Sequence, residues 1–429
     1  MKKMLGLWLV LCFVASSVFL NAGNIFAGEI DVLLQKLVEK GVLSPGEAQV
    51  VKTETQEQVK KEVAQGKSAA LPSWVQNIKL KGDFRLRYQH DQAKELAGNT
   101  QSPRDGQDRA RIRARLGLEG KVNDKIKAGV GIATGSTTDP RSTNITLGSS
   151  STKKSIVLDY AYATYSPWKW ASFTGGKMQN PLWEPGDLIW DTDITPEGGV
   201  AALSTKIGSK TELFSNLGVF LIGEAAGDEA DPTMYVLQGG LKQQLTDAVS
   251  AKIAASFYNF TGLVGKSLTA SSGTNSTVNG GLKYNYKNFT PAFEISINEP
   301  LKAIGYSLPY FALFGEYVTN VVKDVPGDDT GWMLGFKAGA QKVEKWKDWQ
   351  FKFNYCKLGK DSILDILPDS DRYGGKTGIK GFEAGLDFGL GKNTWLGLDY
   401  YYNEYMKGNF GYTNSRSYQV VQVDWNVKF

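Results

Sequence analysis

Histidine and cysteine are nearly absent: His90 is the only histidine in 429 residues, and Cys12 and Cys356 are the only cysteines. A single imidazole excludes multi-histidine metal sites and any mechanism that needs two. Two cysteines, the first inside an apolar leader, exclude a disulfide scaffold. No G-x-S-x-G elbow occurs and His90 stands alone as a base, so a hydrolase is not expected, and neither is any catalytic residue, cofactor or metal. The net charge of +5 is too small to indicate a nucleic-acid partner, and none is expected. After Gly28 there is no run of 18 or more apolar residues, so no helix can span a bilayer. What is plentiful is glycine, 48 residues against 14 prolines, together with aromatics at 12%.

Lys2 and Lys3 precede an apolar run, Met4 to Leu20, and small residues follow at Ala22, Gly23 and Ala27. This pattern predicts an export signal over residues 1–27. Leu11 before Cys12 argues against lipidation at that cysteine. Residues 28–73 read as a helical extension with a linker. Ile30, Leu33, Leu34, Leu37 and Val38 share one helical face that ends at Gly41. Ser44-Pro45-Gly46-Glu47 then supplies an N-cap, a first-turn proline and a capping-box glutamate for a second helix running to about Gln65. Its apolar stripe, Val50, Val51, Val59 and Val63, is narrow, which fits either a solvated extension or a contact with a partner or the cell wall.

From residue 78 the period becomes two. Ile78, Leu80, Phe84, Leu86 and Tyr88 alternate with Lys79, Lys81, Asp83, Arg85 and Arg87. In Asp108–Gly120 the residues Arg109, Arg111, Arg113 and Arg115 point one way, and Ala110, Ile112, Ala114, Leu116 and Leu118 point the other. Four arginines on one face are incompatible with a dry core, because each ion would lose several kcal/mol of hydration unless paired. The pattern recurs along the chain, with short turns alternating with long Gly-, Ser-, Thr- and Asp-rich loops. Short turns are read at Asn123-Asp124, Ser166-Pro167 and Ile304-Gly305, among others, and the first long loop is read from His90. This organisation predicts an all-β fold over residues 74–429, a transmembrane antiparallel β-barrel of a bacterial outer membrane in contact with its lipid.

A simple count gives seventeen strands, because Lys287-Asn288 looks like a turn. A barrel whose two ends lie on the same side needs an even number, so residues 278–298 are merged into one long strand and the expectation is sixteen. Sixteen strands enclose a lumen wide enough for water. The final strand alternates apolar Val421, Val423, Trp425 and Val427 with polar Gln422, Asp424, Asn426 and Lys428, and the chain ends in Phe429. This ending resembles the signal read by the outer-membrane assembly machinery, with Trp425, Val427 and Phe429 as its apolar residues. Trp168, Trp170, Trp346, Trp349 and Trp395 lie beside short turns, where a headgroup-level girdle would place them.

The strings GDFRLRYQHD, DRARIRARLGLEG and NPLWEPGDLIWDTDITPEGG, in this order, resemble the putative porin family of Gram-negative bacteria, and LLQKLVEKGVLSPGEAQVV resembles its helical preface. The resemblance implies an outer-membrane channel for passive diffusion of small hydrophilic solutes or ions, commonly a homotrimer.

With apolar faces toward lipid, Lys79, Lys81, Arg85, Arg87, Arg109, Arg111, Arg113, Arg115, Lys125 and Lys127 form a basic ladder on the channel side. Glu383, Asp387, Asp399 and Asp424 line late strands that barrel closure brings beside the first. The ladder could attract anions, or the carboxylates could hold it as a brace. In general porins the third long loop folds inward; here that loop would carry Trp183, Asp187, Trp190, Asp191, Asp193 and Glu197 into the pore. Its competing reading is an exposed loop. A structural or adhesive barrel tethered to the cell wall is the rival to a channel.

Overall fold

A computed structural model describes residues 37–39, 43–51, 53–54, 77–95, 106–224, 230–323, 325, 327–406 and 416–429. The export signal over residues 1–27, the linker and most of the first helix lie outside the described residues. Residues 45–51 and 53–54 are helical. The expected capping box is formed: the Glu47 amide donates to Ser44 Oγ at 3.3 Å, and the Ser44 amide donates to Glu47 Oε2 at 2.9 Å. The Ser44 amide and, at 2.7 Å, the Ser44 hydroxyl both donate to the Glu47 carboxylate, which favours its ionised form and lowers its pKa.

Residues 79–429 make a second unit. Its wall has sixteen long strands: β1 (Ile78–Glu95), β2 (Gln107–Lys121), β3 (Ile126–Thr134), β4 (Ile156–Trp168), β5 (Ala171–Lys177), β6 (Glu197–Ile207), β7 (Thr211–Leu221), β8 (Thr233–Gln244), β9 (Val249–Thr261), β10 (Lys287–Asn298), β11 (Tyr310–Asn320), β12 (Thr330–Gly339), β13 (Trp349–Leu358), β14 (Ile379–Gly391), β15 (Thr394–Tyr405) and β16 (Arg416–Lys428). Each pairs with the next, and β16 pairs antiparallel with β1 from Asp83↔Lys428 to Glu95↔Arg416. The wall is therefore closed, and all interior strand edges are satisfied, as hydrocarbon demands. No described helix is long and apolar enough to cross a membrane; the strands do so.

Alternation sets the two faces. Leu116, Leu118, Val130, Ile132, Leu217, Leu237 and Ile253 are all exposed on the outer surface, an arrangement that lipid, not water, stabilises. Trp168 and Trp170 stack with ring centroids 5.0 Å apart beside the β4–β5 turn, and Lys428 lies over the Trp395 ring.

Four local readings are corrected. The strand expected over 278–298 begins at Lys287, and Lys287-Asn288 opens β10. Upstream, Thr277–Val278 and Gly281–Leu282 form a small hairpin because Asn279 and Gly280 turn through φ of 52° and 82°. Ser166 and Pro167 stay within β4, and the chain reverses at Lys169-Trp170. Ile304-Gly305 belongs to a longer connection, 299–309, with a single 3-10 turn at Lys302–Ile304. His90 lies within β1, opposite Val421, because that strand extends to Glu95. In β10, Pro291 has no amide proton, and the ladder to β11 is interrupted between Phe289↔Thr319 and Ala292↔Glu316.

The inner face differs from a simple polar lining. On β7–β14, Phe220, Met234, Val236, Tyr258, Phe260, Phe314, Val318, Met333, Leu358 and Ile379 are buried toward the interior. They meet buried side chains of the third (178–196), fifth (262–286) and seventh (359–378) loops. These include Leu188, Ile189, Trp190, Leu263, Tyr286, Ile363, Leu364 and Leu367. One half of the bore is thus filled by an apolar core of loops packed on the wall.

Candidate functional site

The arginines of β1 and β2 face inward, and all but one are ion-paired. Arg87 Nε and Nη2 donate to the two carboxylate oxygens of Asp424, each at 2.8 Å, and its Nη1 reaches Asp371 at 3.3 Å. Arg85 Nε lies 3.2 Å from Asp424. Asp83 bridges Arg113 and Arg115 at 2.9 and 2.8 Å. Arg109 pairs with Asp91. Arg111 donates to Gln89 Oε1 at 3.0 Å and to the Asn144 carbonyl at 3.2 Å, and it has no carboxylate within 4.0 Å among the described residues. The lysines of the ladder lie near the short-turn end: Lys125 follows the β2–β3 turn, Lys81 pairs with Glu119 at 2.5 Å, and Lys79 and Lys127 are exposed.

The third loop enters the bore. Trp183 is clamped by two bonds with Gln238 of β8, its amide donating to Oε1 and its carbonyl accepting from Nε2, both at 2.9 Å. Gly186 donates its amide to Glu316 of β11. Trp190 Nε1 donates to Tyr258 Oη at 3.3 Å, and Asp193 reaches back to Arg115 at 3.1 Å. The loop thus touches β2, β8, β9 and β11, so it crosses the lumen. Glu197 is the first residue of β6, at the rim, pairing with Lys177 at 2.9 Å.

The seventh loop joins it. Its Arg372 donates to Asp187 of the third loop at 3.1 Å and to Glu383 of β14 at 2.6 Å. Asp191 accepts from the Ser370 amide at 2.8 Å. Glu383 also pairs with Lys352 at 2.5 Å, and Lys352 reaches Asp399 at 3.1 Å. Of the four late carboxylates, Asp424 alone ion-pairs with the ladder; Glu383 and Asp399 serve Lys352 and Arg372, while Asp387 faces the interior half-buried. Burial, and then the neighbouring Asp193 carboxylate, push the Asp191 carboxyl up to about 8. Burial and the nearby Asp187 and Asp371 likewise raise Asp369; burial would also raise Asp371, but Arg87, the hydrogen bond from Gln422, Arg85 and Arg111 together outweigh it and lower that carboxyl.

Sequence reasoning missed Asp83, Asp91, Asp371 and Arg372 as partners, Glu184 within the third loop, and Glu316 of β11, which that loop's Gly186 contacts. The readable signals were Pro368-Asp369-Ser370-Asp371-Arg372 in a long loop, and continuous apolar runs such as Leu217–Ile222, which mark strands buried on both faces.

Open space remains on the other side of the bore. A cavity of about 1090 Å³ lies between the second loop (135–155), the upper part of β4 and the third to fifth loops, and Asp139, Asp159, Lys177, Asp193 and Glu224 are among its lining. A second cavity, of about 290 Å³, is lined by Arg115, Asp159, Asn180, Glu184 and Asp193. The two share Asp159, Asp193 and Thr195.

A closed sixteen-stranded wall, greasy outside, with loops folded into a charged bore, defines an outer-membrane porin. The model of the family described as putative porin matches residues 47–103, 94–302 and 278–429. The chain belongs to that family, and its place is the outer membrane of a Gram-negative bacterium. Among solved structures, OprB of Pseudomonas putida is 13% identical, aligning over 81% of this chain and 94% of its own, with a TM-score of 0.50. OmpF of Salmonella typhi is 12% identical over 81% and 97%, with a TM-score of 0.45. No curated protein sequence matches the chain. Family and fold point to a channel rather than an enzyme.

Proposed function

We propose that the barrel passes small hydrophilic solutes by passive diffusion through the part of the bore that the loops leave open. The observation that carries this is the pair of cavities, each with charged and hydroxyl side chains in its lining, sharing Asp159, Asp193 and Thr195 inside a closed wall. Of the two roles open to the arginine ladder, bracing has the support of geometry: Asp83, Asp91, Asp371, Asp424 and Asp193 neutralise it. An anion preference would have to come from Arg111. A homotrimeric assembly is what the family resemblance implies, removal of residues 1–27 on export is what the leader pattern implies, and recognition of Trp425, Val427 and Phe429 by the assembly machinery is what the alternation of the final strand implies. The helical extension, 28–73, would be periplasmic. Purified protein in a planar bilayer tests the reading: discrete conductance steps support the channel, and a silent membrane at saturating insertion overturns it.

A further inference from the structure

Resting on that channel reading, we propose that the permeation path runs between the third loop and the β3–β6 wall, and that Asp159 makes it select small cations. On the opposite flank Ile363, Leu364 and Leu367 of the seventh loop share one buried apolar core with Val318, Met333 and Leu358 of the wall. The cavity pair lies on the open flank, and Asp159 borders both members at their junction.

A bulge aims Asp159 at this junction. Ile156 and Leu158 are exposed on the outside, yet the rings of Tyr160 and Tyr162, of the same parity, lie against Gly131 and Gly129 on the inside. The phase changes where the β3–β4 register shifts, between Gly131 and Ile132, and Asp159 is the additional residue turned inward. A carboxylate on the lipid side would be costly, so the bulge is what lets this strand carry one.

Charge near the junction is unbalanced. Its cations are already engaged: Arg115 with Asp83 and Asp193, and Lys177 with Glu197. Asp159 has no Lys or Arg nitrogen within 4.0 Å among the described residues; its backbone carbonyl accepts from Thr195 Oγ1 at 2.7 Å, which ties the third loop to β4 and leaves the carboxylate to the water. Below it, Glu184 Oε1 accepts from Tyr258 Oη at 2.8 Å, while Oε2 is buried without a hydrogen bond. An unpaired carboxylate at the meeting point of two cavities in a low-dielectric wall raises the local concentration of cations and excludes anions.

Single channels of the full chain in a planar bilayer, under a potassium chloride gradient, test this through the reversal potential. The wild type is expected to favour potassium over chloride. Asp159→Asn should reduce that preference by about fivefold, the factor one nearby unit charge carries in a water-like dielectric, while conductance steps persist. Asp159→Lys should reverse the sign. Asp247→Asn, the same charge change in the β8–β9 turn, should leave selectivity as it was. Conducting channels with no cation preference, or a preference indifferent to Asp159, would overturn the proposal and leave the channel intact. Silence in every variant would instead remove the channel reading beneath it.

Discussion

Arg372 of the seventh loop and Glu383 of β14 lie 2.6 Å apart, both side chains almost wholly buried. This contact fastens a loop to the wall that frames it, and through Asp187 it also fastens the third loop. The same guanidinium donates to Asn354 of β13 at 2.8 Å, so one side chain ties two loops and two strands together.

Replacing Arg372 with alanine is expected to undock the seventh loop. Lys352 still neutralises Glu383, so the loss stays below the about 3–5 kcal/mol of a fully uncompensated buried charge, but it removes the bonds that hold the seventh loop to β13, β14 and Asp187. Larger and noisier single-channel conductance should result, with the heat-modifiable barrel still forming. Unchanged conductance would show that the loop is held by its apolar core alone.

Docking of the third loop should weaken as pH rises. The Asp191 carboxyl titrates at about 8 when buried and near 3.9 when released to water. Between those values the docked loop holds a proton that the released loop does not, so docking is favoured below the lower value and loses stability as pH climbs to about 8. Above that it levels off. Hydrogen exchange over residues 188–194 followed against pH measures this, and Asp191→Asn should flatten the dependence.

Asp83→Ala removes the carboxylate that Arg113 and Arg115 share. Lost charge-assisted hydrogen bonds are worth roughly 1.5–3 kcal/mol each at most, reduced here where Arg115 is part-exposed to the bore. A lower denaturant midpoint is expected, with the slope unchanged. The single mutants Arg113→Ala and Arg115→Ala, combined with Asp83→Ala in double-mutant cycles, apportion the loss.

Phe429 closes the seam: its amide donates to the Gly82 carbonyl at 3.0 Å, and its carbonyl accepts from the Gly82 amide at 2.9 Å. Its ring also lies over Gly82, where a Cβ would meet it at 2.4 Å, so Gly82→Ala is expected to disturb the closure. Deleting Phe429 should lower the amount of barrel in outer-membrane fractions, read as loss of the heat-modifiable band. Normal accumulation would refute a role in assembly.

Most of the wall was legible in the sequence because its physics is local. The alternation in β2 and β16 follows from one side facing lipid and the other water, and parity gave sixteen strands from an ambiguous seventeen. The interior was less legible, because its partners are remote along the chain: Arg87 meets Asp424 only after closure, and Arg141 of the second loop reaches the Asp365 carbonyl of the seventh at 3.0 Å. Asp159 shows the same limit within one strand. Counted back by alternate residues from outward Tyr165, it falls on the lipid face, and only the bulge turns it inward.

The apolar core inside the bore gives this molecule two kinds of cohesion that answer to different surroundings. The wall is held by the membrane's exclusion of unpaired backbone, whereas the knot of loops within it coheres as a water-soluble protein does, by hiding grease from water. A denaturant that leaves the cylinder standing can therefore melt its contents first. The pore would then pass through a widened state before the protein is lost.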